Sequence, residues 1–468
     1  MSSRPASTPL WDSFEIAHAT GGVAKGGDFT ANGVSIDTRT LEPGDLFIAL
    51  AGERDGHEFI DAALARGASG ALVSRDVGGP RVIAPDTFDA LQAMGLHARD
   101  RAPRARRCAV TGSVGKTSVT QAIAAGLALA GPAHTSVKSY NNHIGVPLTL
   151  ARMPRATERA VFEVGMNHAD EIRPLAWMIQ PHVAAITTVG PVHIENFPDG
   201  ETGVARAKAE IFAGMRPGGI AVLNADNAWF DVLRDEAERW DLEVRSFGTG
   251  QGCDARLIAF EAGDGAVVAA RVDGVDVRFP IRMSGAHWGL NSLCALMSLE
   301  AMDVDRDTAL AALAHFEPLD GRGAERRVAL AGGPFLLIDE SYNANPVSMG
   351  AALASLGARP VAGRRIVALT DMLELGEDAP AYHAALAAEL EAARVDLVFC
   401  AGPLMRSLWD ALPPTRRGGY ADTASALVGA LEAALSPGDA VMVKGSKGSK
   451  AAAIAEALAA GTGVGKAG

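Results

Sequence analysis

Short apolar segments alternate with helical segments along most of this chain, and this alternation most constrains its fold. "CAVTG" (108–112) precedes "SVTQAIAAGLALA", in which Val119, Ile123 and Leu127 recur on one helical face. Further buried-strand candidates are "AVFEVG" (160–165), "HVAAITTVG" (182–190) and "GIAVLNAD" (219–226). Because strands separated by helices form parallel sheets, the pattern predicts an α/β fold with ligands beyond the carboxyl ends of the strands.

The chain of 468 residues is longer than one core usually accommodates, and its patterns indicate three domains. We predict a small N-terminal α/β domain over residues 1–105 and a central parallel-sheet domain over 106–324. A C-terminal Rossmann-like α/β domain is predicted over 325–468, from strand candidates at 335–340, 365–372, 397–402 and 440–446. The arginine-rich "HARDRAPRARR" (97–107) at the first boundary is predicted to be a solvated linker rather than an anion-binding patch.

Charge and composition exclude several classes of function. The net charge of -12 argues against a dominant nucleic-acid role, which normally needs a concentrated basic surface. Four cysteines, spread singly, form no disulfide framework and fit a reducing cytoplasm. Since no uncharged apolar run approaches ~18 residues and the N-terminus lacks a signal-peptide pattern, we expect neither a membrane span nor export.

The segment "TGSVGKTSVT" (111–120) resembles a phosphate-binding loop with an unusual spacing. The common G-x-x-x-x-G-K-[ST] pattern would place glycine at Val110, whereas the first glycine here is Gly112. The loop still lies between a strand and a helix, where backbone N–H groups and the helix N-terminus favour an anion. Gly115 permits close approach, Lys116 can neutralise outer phosphates and Thr117 can reach Mg²⁺; the alternative is an ordinary turn that happens to contain GKT.

Three more residues are candidates for the same chemistry. Glu163 ends an apolar strand, where an unpaired charge is costly, so a cation should lie beside it: either Mg²⁺ or a structural salt-bridge partner. His193 follows another strand end, and Lys208 lies on a predicted helix; taken singly, each is more often a surface or structural residue. An ammonium cannot ligate Mg²⁺, so Lys208 becomes a metal-site candidate only if CO₂ converts its amine into a carbamate.

These motifs, taken in order, resemble the Mur ligases, the ATP-dependent amide-forming enzymes of peptidoglycan assembly. The resemblance rests on "TGSVGKT", "SYNNHIGVPLT" (139–149), "FEVGMNHADEI" (162–172), "VHIENF" and "AKAEIF" in the central region. It extends to "VSIDTRTLEPGDLFIALAGERDGHEFIDAALARGA" (34–68), "IDESYNANPVSM" (338–349), "LTDMLELGEDAPAYH" (369–383) and "VKGSKGS" (443–449). The shorter G-x-x-G-K-T loop is typical of this family, which accounts for the unusual spacing.

The resemblance implies a function and its ligands. ATP and Mg²⁺ would be the cofactors, the partners would be UDP-N-acetylmuramoyl-tripeptide and D-alanyl-D-alanine, and the protein would be a monomer. The implied catalytic residues are Lys116, Glu163, His193 and Lys208, with Thr117, Glu163, His193 and Lys208 at the metal ions. The implied ATP-binding residues are Gly112, Ser113, Val114, Gly115, Lys116, Thr117, Asn224, Asp226, His287, Asn291, Arg322 and Asp339. Substrate-binding positions would be Asp37, Thr38 and Arg39 near the UDP-sugar, and Asn343, Ala344 and Asn345 near the dipeptide.

Two positions depart from the family pattern, and several alternatives stay open. Trp288 replaces the usual asparagine after His287, which puts adenine recognition in question, and Thr38 replaces serine but keeps a hydroxyl. Turn-forming and capping roles are the alternative for Asn224, Asp226, Asn291 and Asn345. The alternative functions are the diamino-acid-adding reaction of the same family, whose "DNPR" signature is absent, a folylpolyglutamate-synthase-like ligase, and a regulatory P-loop switch.

Overall fold

The N-terminal part of the molecule is a small parallel sheet with helices against it. The computed structural model describes residues 8–136, 139–263 and 265–461, so the prediction about export rests partly on N-terminal residues outside the described ones. The strands are β1 (Trp11–Asp12), β2 (Val23–Lys25), β3 (Thr30–Ala31), β4 (Gly33–Ser35), β5 (Asp45–Ile48), β6 (Gly70–Val73) and β7 (Arg81–Ile83). The helices are α1 (Ser13–Thr20), α2 (Ile60–Ala65) and α3 (Thr87–Asp100). The N-terminal sheet has the order β2-β7-β6-β5-β4, with only β2 antiparallel, and β1 pairs with β3.

The central sheet is the largest one in the described residues. Its strands are β8 (Arg106–Thr111), β9 (Ala133–Thr135), β10 (Arg159–Glu163), β11 (Val183–Ile186), β12 (Ile220–Asn224), β13 (Glu243–Gly248), β14 (Ala255–Gly263), β15 (Gly265–Val272) and β16 (Val275–Ile281). Its helices are α4 (Lys116–Ala130), α5 (Gly145–Ala151), α6 (Ile172–Ile179), α7 (Glu201–Ala209), α8 (Phe230–Arg239), α9 (Trp288–Ala301) and α10 (Arg306–His315). The order is β16-β15-β14-β13-β12-β11-β8-β10-β9. Strands β8 to β14 are parallel as predicted, whereas β15 and β16 add an antiparallel edge that the sequence analysis did not predict.

The third sheet belongs to the C-terminal part. It is formed by β17 (Ala324–Leu330), β18 (Gly333–Glu340), β19 (Arg365–Thr370), β20 (Leu397–Ala401), β21 (Arg417–Ala421) and β22 (Ala440–Lys444). Its helices are α11 (Pro346–Ala358), α12 (Ala379–Ala392), α13 (Arg406–Ala411), α14 (Ala424–Ala434) and α15 (Ala452–Ala459). The order is β17-β18-β22-β19-β20-β21, and only β17 runs antiparallel. The domain limits after residues 105 and 324 stay predictions.

The register of the central sheet positions the predicted site. Glu163, at the end of β10, lies beside Val110 of β8, and Ile186, at the end of β11, lies beside Thr111. The carboxyl ends of these three parallel strands therefore meet at one edge, where ligands of open α/β sheets bind. Helix α4 packs on the sheet through Val119, Ile123 and Leu127, which are fully buried as the helical spacing predicted.

The arginine-rich stretch 97–107 is not a solvated linker, so that prediction was wrong. Its first four residues end α3 and its last two begin β8. Arg107 is 3% exposed and donates to the carbonyl oxygens of Ile179 and Ala105 at 2.6 and 2.9 Å. Burial lowers its pKa to about 10. The high charge of this segment predicted exposure to solvent. Instead, backbone carbonyl groups left unpaired at the ends of helices and strands accept hydrogen bonds from the guanidinium group.

No helix among the described residues is both long enough and apolar enough to cross a membrane.

Candidate active site

The loop after β8 has the backbone geometry of an anion cradle. Gly112 has φ 147°, and a Cβ there would lie 2.0 Å from Thr187 Oγ1, so only glycine fits. Gly115, with φ 86°, directly precedes α4, and its left-handed conformation also favours glycine. Ser113 fixes the loop to the chain after β11, because its hydroxyl accepts from Gly190 N–H at 2.9 Å and donates to the Gly190 carbonyl at 3.0 Å. The N–H groups at the start of α4 are thereby directed toward one cavity.

Lys116 places a cation inside this cradle. Its Nζ donates to the carbonyl oxygen of Gly112 at 2.6 Å, which folds the side chain back over the loop. Burial lowers the pKa of Lys116, and Arg322 lowers it further, while Glu163 opposes the shift. Because burial deprives the Lys116 amine of water, a bound polyanion would stabilise its charged form. The environment of Lys116 therefore favours phosphate binding.

Thr117 and Glu163 form a pair of oxygen donors beside Lys116. Thr117 Oγ1 donates to Glu163 Oε2 at 2.7 Å, and Asn141 Nδ2 donates to Glu163 Oε1 at 2.7 Å. Glu163 is 2% exposed, so its carboxylate is held by these two polar groups and by the nearby Lys116 charge. Hydroxyl and carboxylate oxygens are the donors that Mg²⁺ prefers, and both residues line the cavity. This donor set fits a magnesium ion.

His193 and Lys208 lie near the same group. His193 Nδ1 is 2.8 Å from Glu374 Oε2, a residue of the C-terminal part. Burial lowers the pKa of His193, and the charges of Lys116 and Lys208 act in the same direction. Lys208 is 2% exposed, and burial together with Lys116 brings its pKa well below the ordinary value. A neutral amine is the form that adds CO₂, so the environment of Lys208 fits the carbamate hypothesis.

The opposite wall of the cavity comes from the segment before β17 and from the segments at and after the ends of β18, β19 and β22. The cavity has a volume of about 800 Å³. Arg322 stacks on the Tyr342 ring, with the guanidinium carbon 3.9 Å from the ring centre, and the Tyr342 hydroxyl contacts Ser139 of the central part. Of the predicted residues, those that line it are Ser113, Val114, Gly115, Lys116, Thr117, Glu163, His193, His287, Asn291, Arg322, Asn343, Ala344 and Asn345.

Two of the residues predicted to bind ATP, His287 and Asn291, lie together in the lining of this cavity. His287 is half-buried, and its buried Nδ1 atom has no hydrogen-bond partner among the described residues. An unpaired buried nitrogen is costly, and a ligand could satisfy it. The Asn291 amide lies against Gly115, 3.1 Å from where a Cβ would be. Trp288 is buried in the core and packs against Phe316, with ring centres 5.6 Å apart and the rings tilted by 48°, so it fills the interior behind the site.

Other predicted ATP-binding residues do not line the cavity. Asn224 donates to the Thr187 carbonyl at 3.1 Å and accepts from Asp226 N–H at 3.0 Å. The Asp226 carboxylate accepts from Thr249 N–H at 2.9 Å. The Asp339 carboxylate accepts from the hydroxyl of Ser341 at 2.5 Å and from Gly321 N–H at 3.2 Å. Only the bonds of Asp226 N–H to Asn224 and of Ser341 to Asp339 are turn contacts, of the kind that the alternative interpretation proposed for Asn224 and Asp226, whereas the others join segments distant in the chain.

Of the residues predicted to bind the two substrates, those predicted for the dipeptide line the cavity and those predicted for the UDP-sugar do not. Asp37, Thr38 and Arg39 are not among the cavity residues; the Arg39 guanidinium is exposed and pairs with the Asp37 carboxylate at 2.7 Å. Asn345 caps α11 in a reciprocal bond with Ser348, a structural role it keeps while lining the cavity.

Sequence reasoning missed several cavity residues on the C-terminal side. Lys444 is buried and donates to the Asn343 carbonyl at 3.0 Å and to Glu340 at 3.4 Å. Burial lowers its pKa, and Arg322 adds to this effect. Lys444 lies in the "VKGSKGS" motif, which was recognised but given no role, and Glu374 lies in "LTDMLELGEDAPAYH". The motif signal was present, but only the fold shows which of its side chains face the cavity.

Comparison with known proteins identifies the family. The models for "Mur ligase family, catalytic domain", "Mur ligase middle domain" and "Mur ligase, glutamate ligase domain" match residues 30–99, 110–299 and 326–447. The UDP-N-acetylmuramoyl-tripeptide–D-alanyl-D-alanine ligase of Escherichia coli is 35% identical, with 83% of this chain and 85% of that relative covered. The chain belongs to the Mur ligase family.

Further similarities support this assignment and the fold of this Mur ligase. The ligase of the same name from Synechocystis is 34% identical over 92% of this chain and 93% of its own. A crystal structure of MurF from Acinetobacter baumannii superimposes with a TM-score of 0.83 at 26% identity, covering 96% of this chain and 100% of that one. The predicted family and the three-domain α/β fold are therefore confirmed, as is the class of ATP-dependent amide ligase.

Proposed function

We propose that this Mur ligase joins D-alanyl-D-alanine to UDP-N-acetylmuramoyl-tripeptide at the expense of ATP, as a cytoplasmic monomer in peptidoglycan precursor synthesis. The observation that carries the proposal is the single cavity in which Lys116, Thr117 and Glu163 face Arg322, Asn343 and Lys444. It places a phosphate cradle opposite a polar wall from another sheet, as a reaction between ATP and two further substrates requires. The relatives whose names state this reaction, which the chain covers over 85% and 93% of their lengths, support it.

The chemistry explains why such a cavity needs several cations. A carboxylate repels an amine and has no good leaving group, so it must be activated first. Transfer of the ATP γ-phosphoryl group to the tripeptide carboxylate gives an acyl phosphate and ADP. The amine of the dipeptide then attacks the acyl carbon, and the tetrahedral intermediate expels phosphate to leave the new amide.

The first step brings two anions together, and this cost is large. Two unit charges about 4 Å apart repel by roughly 4 kcal/mol at an effective dielectric constant of 20. Lys116 lies where it would offset the charge of the outer phosphates, and Arg322 and Lys444 approach from the other wall. Bound Mg²⁺ would supply further charge neutralisation between the phosphates and the carboxylate.

The chain offers two places for divalent cations. Thr117 and Glu163 would hold one through their oxygens. His193 would hold a second together with Lys208, once the Lys208 amine carries CO₂ as a carbamate. Asn224, Asp226 and Asp339 would support the nucleotide site from outside the cavity lining, through the neighbouring groups to which they bond, while His287 and Asn291 line the cavity. Asp37, Thr38 and Arg39 stay the candidates for the UDP-sugar.

Phosphate release tests this function directly. We expect full turnover only when ATP, the UDP-linked tripeptide and D-alanyl-D-alanine are all present, with one phosphate released per amide formed. ATP with either acceptor alone should release phosphate at a small fraction of that rate. Rapid hydrolysis of ATP without acceptors would instead favour a regulatory P-loop switch and contradict the ligase.

A further inference from the structure

An ion pair connects the predicted metal ligand His193 to the C-terminal part of the molecule. His193 Nδ1 lies 2.8 Å from Oε2 of Glu374, although His193 is in the loop after β11 of the central sheet and Glu374 is in the loop after β19 of the third sheet. Both have left-handed backbones, with φ of 51° for His193 and 63° for Glu374. Non-glycine residues adopt this conformation at a cost, and such residues concentrate where surrounding structure holds a functional geometry.

The backbone around Glu374 fixes its approach to His193. Leu373 N–H donates to the Ser446 hydroxyl at 3.0 Å, and Leu375 is buried in the C-terminal core. On the other side, a Cβ at Gly376 would lie 3.2 Å from Glu195 Cβ, so the two loops are in close contact. Glu374 is therefore presented from a segment anchored on both sides, and it lines the same cavity as His193.

The contact with Glu374 also determines which ring nitrogen of His193 is available to bind a metal ion. An ionised carboxylate can only accept hydrogen bonds, so the proton of a neutral His193 ring lies on Nδ1. The lone pair of Nε2 is then free for a metal ion. A carboxylate behind a metal-binding histidine fixes the tautomer and ring orientation and makes the nitrogen a better ligand.

We propose that Glu374 is a positioning residue which the C-terminal domain supplies to the His193 metal position. This inference rests on the proposed function, because it takes His193 as a ligand of a divalent cation. It adds that the ligand is correctly oriented only while the C-terminal domain is docked. Metal affinity at His193 and closure of the cavity are thus coupled through one side-chain contact between two domains.

Manganese binding tests the proposal without relying on turnover. Mn²⁺ is titrated into the full-length protein with ADP and followed by electron paramagnetic resonance, and pulsed spectra record coupling to a coordinated imidazole nitrogen. The variants are Glu374→Leu, which removes the acceptor, and Glu374→Gln, which keeps an acceptor oxygen without charge. Glu377→Gln is the control, because Glu377 is an exposed carboxylate in the same loop.

We expect Glu374→Leu to weaken the nitrogen-coupled Mn²⁺ site by about tenfold or more and to reduce its nitrogen coupling. Glu374→Gln should fall between this variant and the wild type, and Glu377→Gln should match the wild type. The Glu374 side chain is 62% exposed, so its replacement should leave the melting temperature nearly unchanged. Wild-type affinity and coupling in Glu374→Leu would overturn the inference.

The result separates this inference from the function on which it rests. If the wild-type protein shows no nitrogen coupling, the His193 metal assignment is wrong and the inference fails with it. Phosphate release that still requires both substrates would nevertheless uphold the ligase. If the wild type shows the coupling and Glu374→Leu loses it, both the metal assignment and the role of Glu374 are supported.

Discussion

The central sheet meets its two neighbours through junctions of different character. The first junction is the contact between the N-terminal part, which contributes α3 and the residues around Trp11, and helix α5 of the central part. There, Leu148 and Ala151 of α5 share one hydrophobic cluster with Trp11, Leu91 and Met94. The second junction is the contact between the central and C-terminal parts, and it includes several polar contacts, His193 with Glu374, Ser139 with Tyr342, and Ser284 with Glu325 and Arg359, besides a local apolar contact of Val347 at Gly190. Among the described residues, no hydrophobic cluster spans this second junction.

The polar groups of the first junction strengthen its apolar contact. The Trp11 indole donates to the Ala151 carbonyl at 2.8 Å, and the Arg101 guanidinium lies 4.1 Å from the Trp11 ring centre. Arg101 also donates to Glu15 at 3.0 Å and to the Met153 carbonyl at 3.1 Å. Separating these surfaces would expose apolar area and unpair buried groups, so the first junction should behave as a rigid scaffold.

The second junction should open at lower cost, because partly exposed polar contacts exchange with water more readily than a buried apolar cluster does. The cavity with the proposed reacting groups lies at this second junction. An enzyme that must admit three substrates and then exclude water from an acyl phosphate benefits from such an arrangement. The comparison predicts that changes at the first junction reduce stability, whereas changes at the second alter activity.

The largest effect on activity is expected at Lys208, beside the second junction. Because Lys208→Ala removes the proposed carbamate ligand, it should lower turnover by about 10³-fold or more. The melting temperature should change little. Added short carboxylates such as formate should partly restore turnover by supplying the missing oxygens. Arg206→Ala, on the exposed side of α7, is the matched control. Unchanged activity of Lys208→Ala in a steady-state phosphate assay would remove the carbamate from the mechanism.

The largest effect on stability is expected at the first junction. Trp11 is almost fully buried, so Trp11→Ala should reduce the free energy of unfolding by about 3–5 kcal/mol. Turnover of the folded protein at low temperature should stay near the wild-type value. Chemical denaturation and activity measured on the same samples check this, with the exposed Trp240→Ala as control. A loss of turnover without loss of stability would show that the first junction takes part in catalysis.

A smaller, pH-dependent effect is expected next to the first junction, where His134 fastens α5 to β9. His134 Nε2 lies 2.7 Å from the Thr149 carbonyl, and burial lowers the pKa of His134 to about 4. An unfolded histidine titrates near pH ~6.5, so between these values only the unfolded state binds the proton. Stability should therefore fall as the pH drops from about 6.5 to 4, with His134 contributing on the order of 2–3 kcal/mol.

His134→Gln keeps a donor for Thr149 but cannot titrate, so it should flatten the stability profile in this pH range. Urea denaturation at several pH values measures the difference, and His18→Gln, at an exposed histidine, serves as control. A profile of His134→Gln parallel to that of the wild type would assign the acid sensitivity to other groups.

The smallest effect is expected from a single polar contact of the second junction. Arg359→Met removes the guanidinium that contacts Ser284 and Glu325, and should change the free energy of unfolding by less than about 1 kcal/mol. It should raise the KM for ATP severalfold and increase the radius of gyration measured by small-angle X-ray scattering. Arg406→Met, which breaks a surface pair with Asp410, is the control. A stability loss as large as that of Trp11→Ala would contradict the proposed difference between the junctions.

Much of the candidate site could be predicted from the sequence, because the residues that identify it lie close together along the chain. The strand, glycine loop and helix around Lys116 follow one another along the chain, so their spacing predicts their geometry. Glu163 was found because a carboxylate at the end of an apolar strand needs a partner, and the structure supplies Thr117 and Asn141. The prediction for residues 97–107 failed because charge composition does not reveal which carbonyl groups the folded chain leaves unpaired.

By itself, the sequence determined the α/β class, the family, the phosphate loop and the residues that gather at the edge of the central sheet, since hydrophobic periodicity and short motifs encode these locally. Only the tertiary structure decided that Lys444 faces the cavity and that Glu374 reaches His193. Those contacts join residues up to roughly 180 positions apart. Their existence depends on how whole sheets pack, which no local pattern of residues specifies.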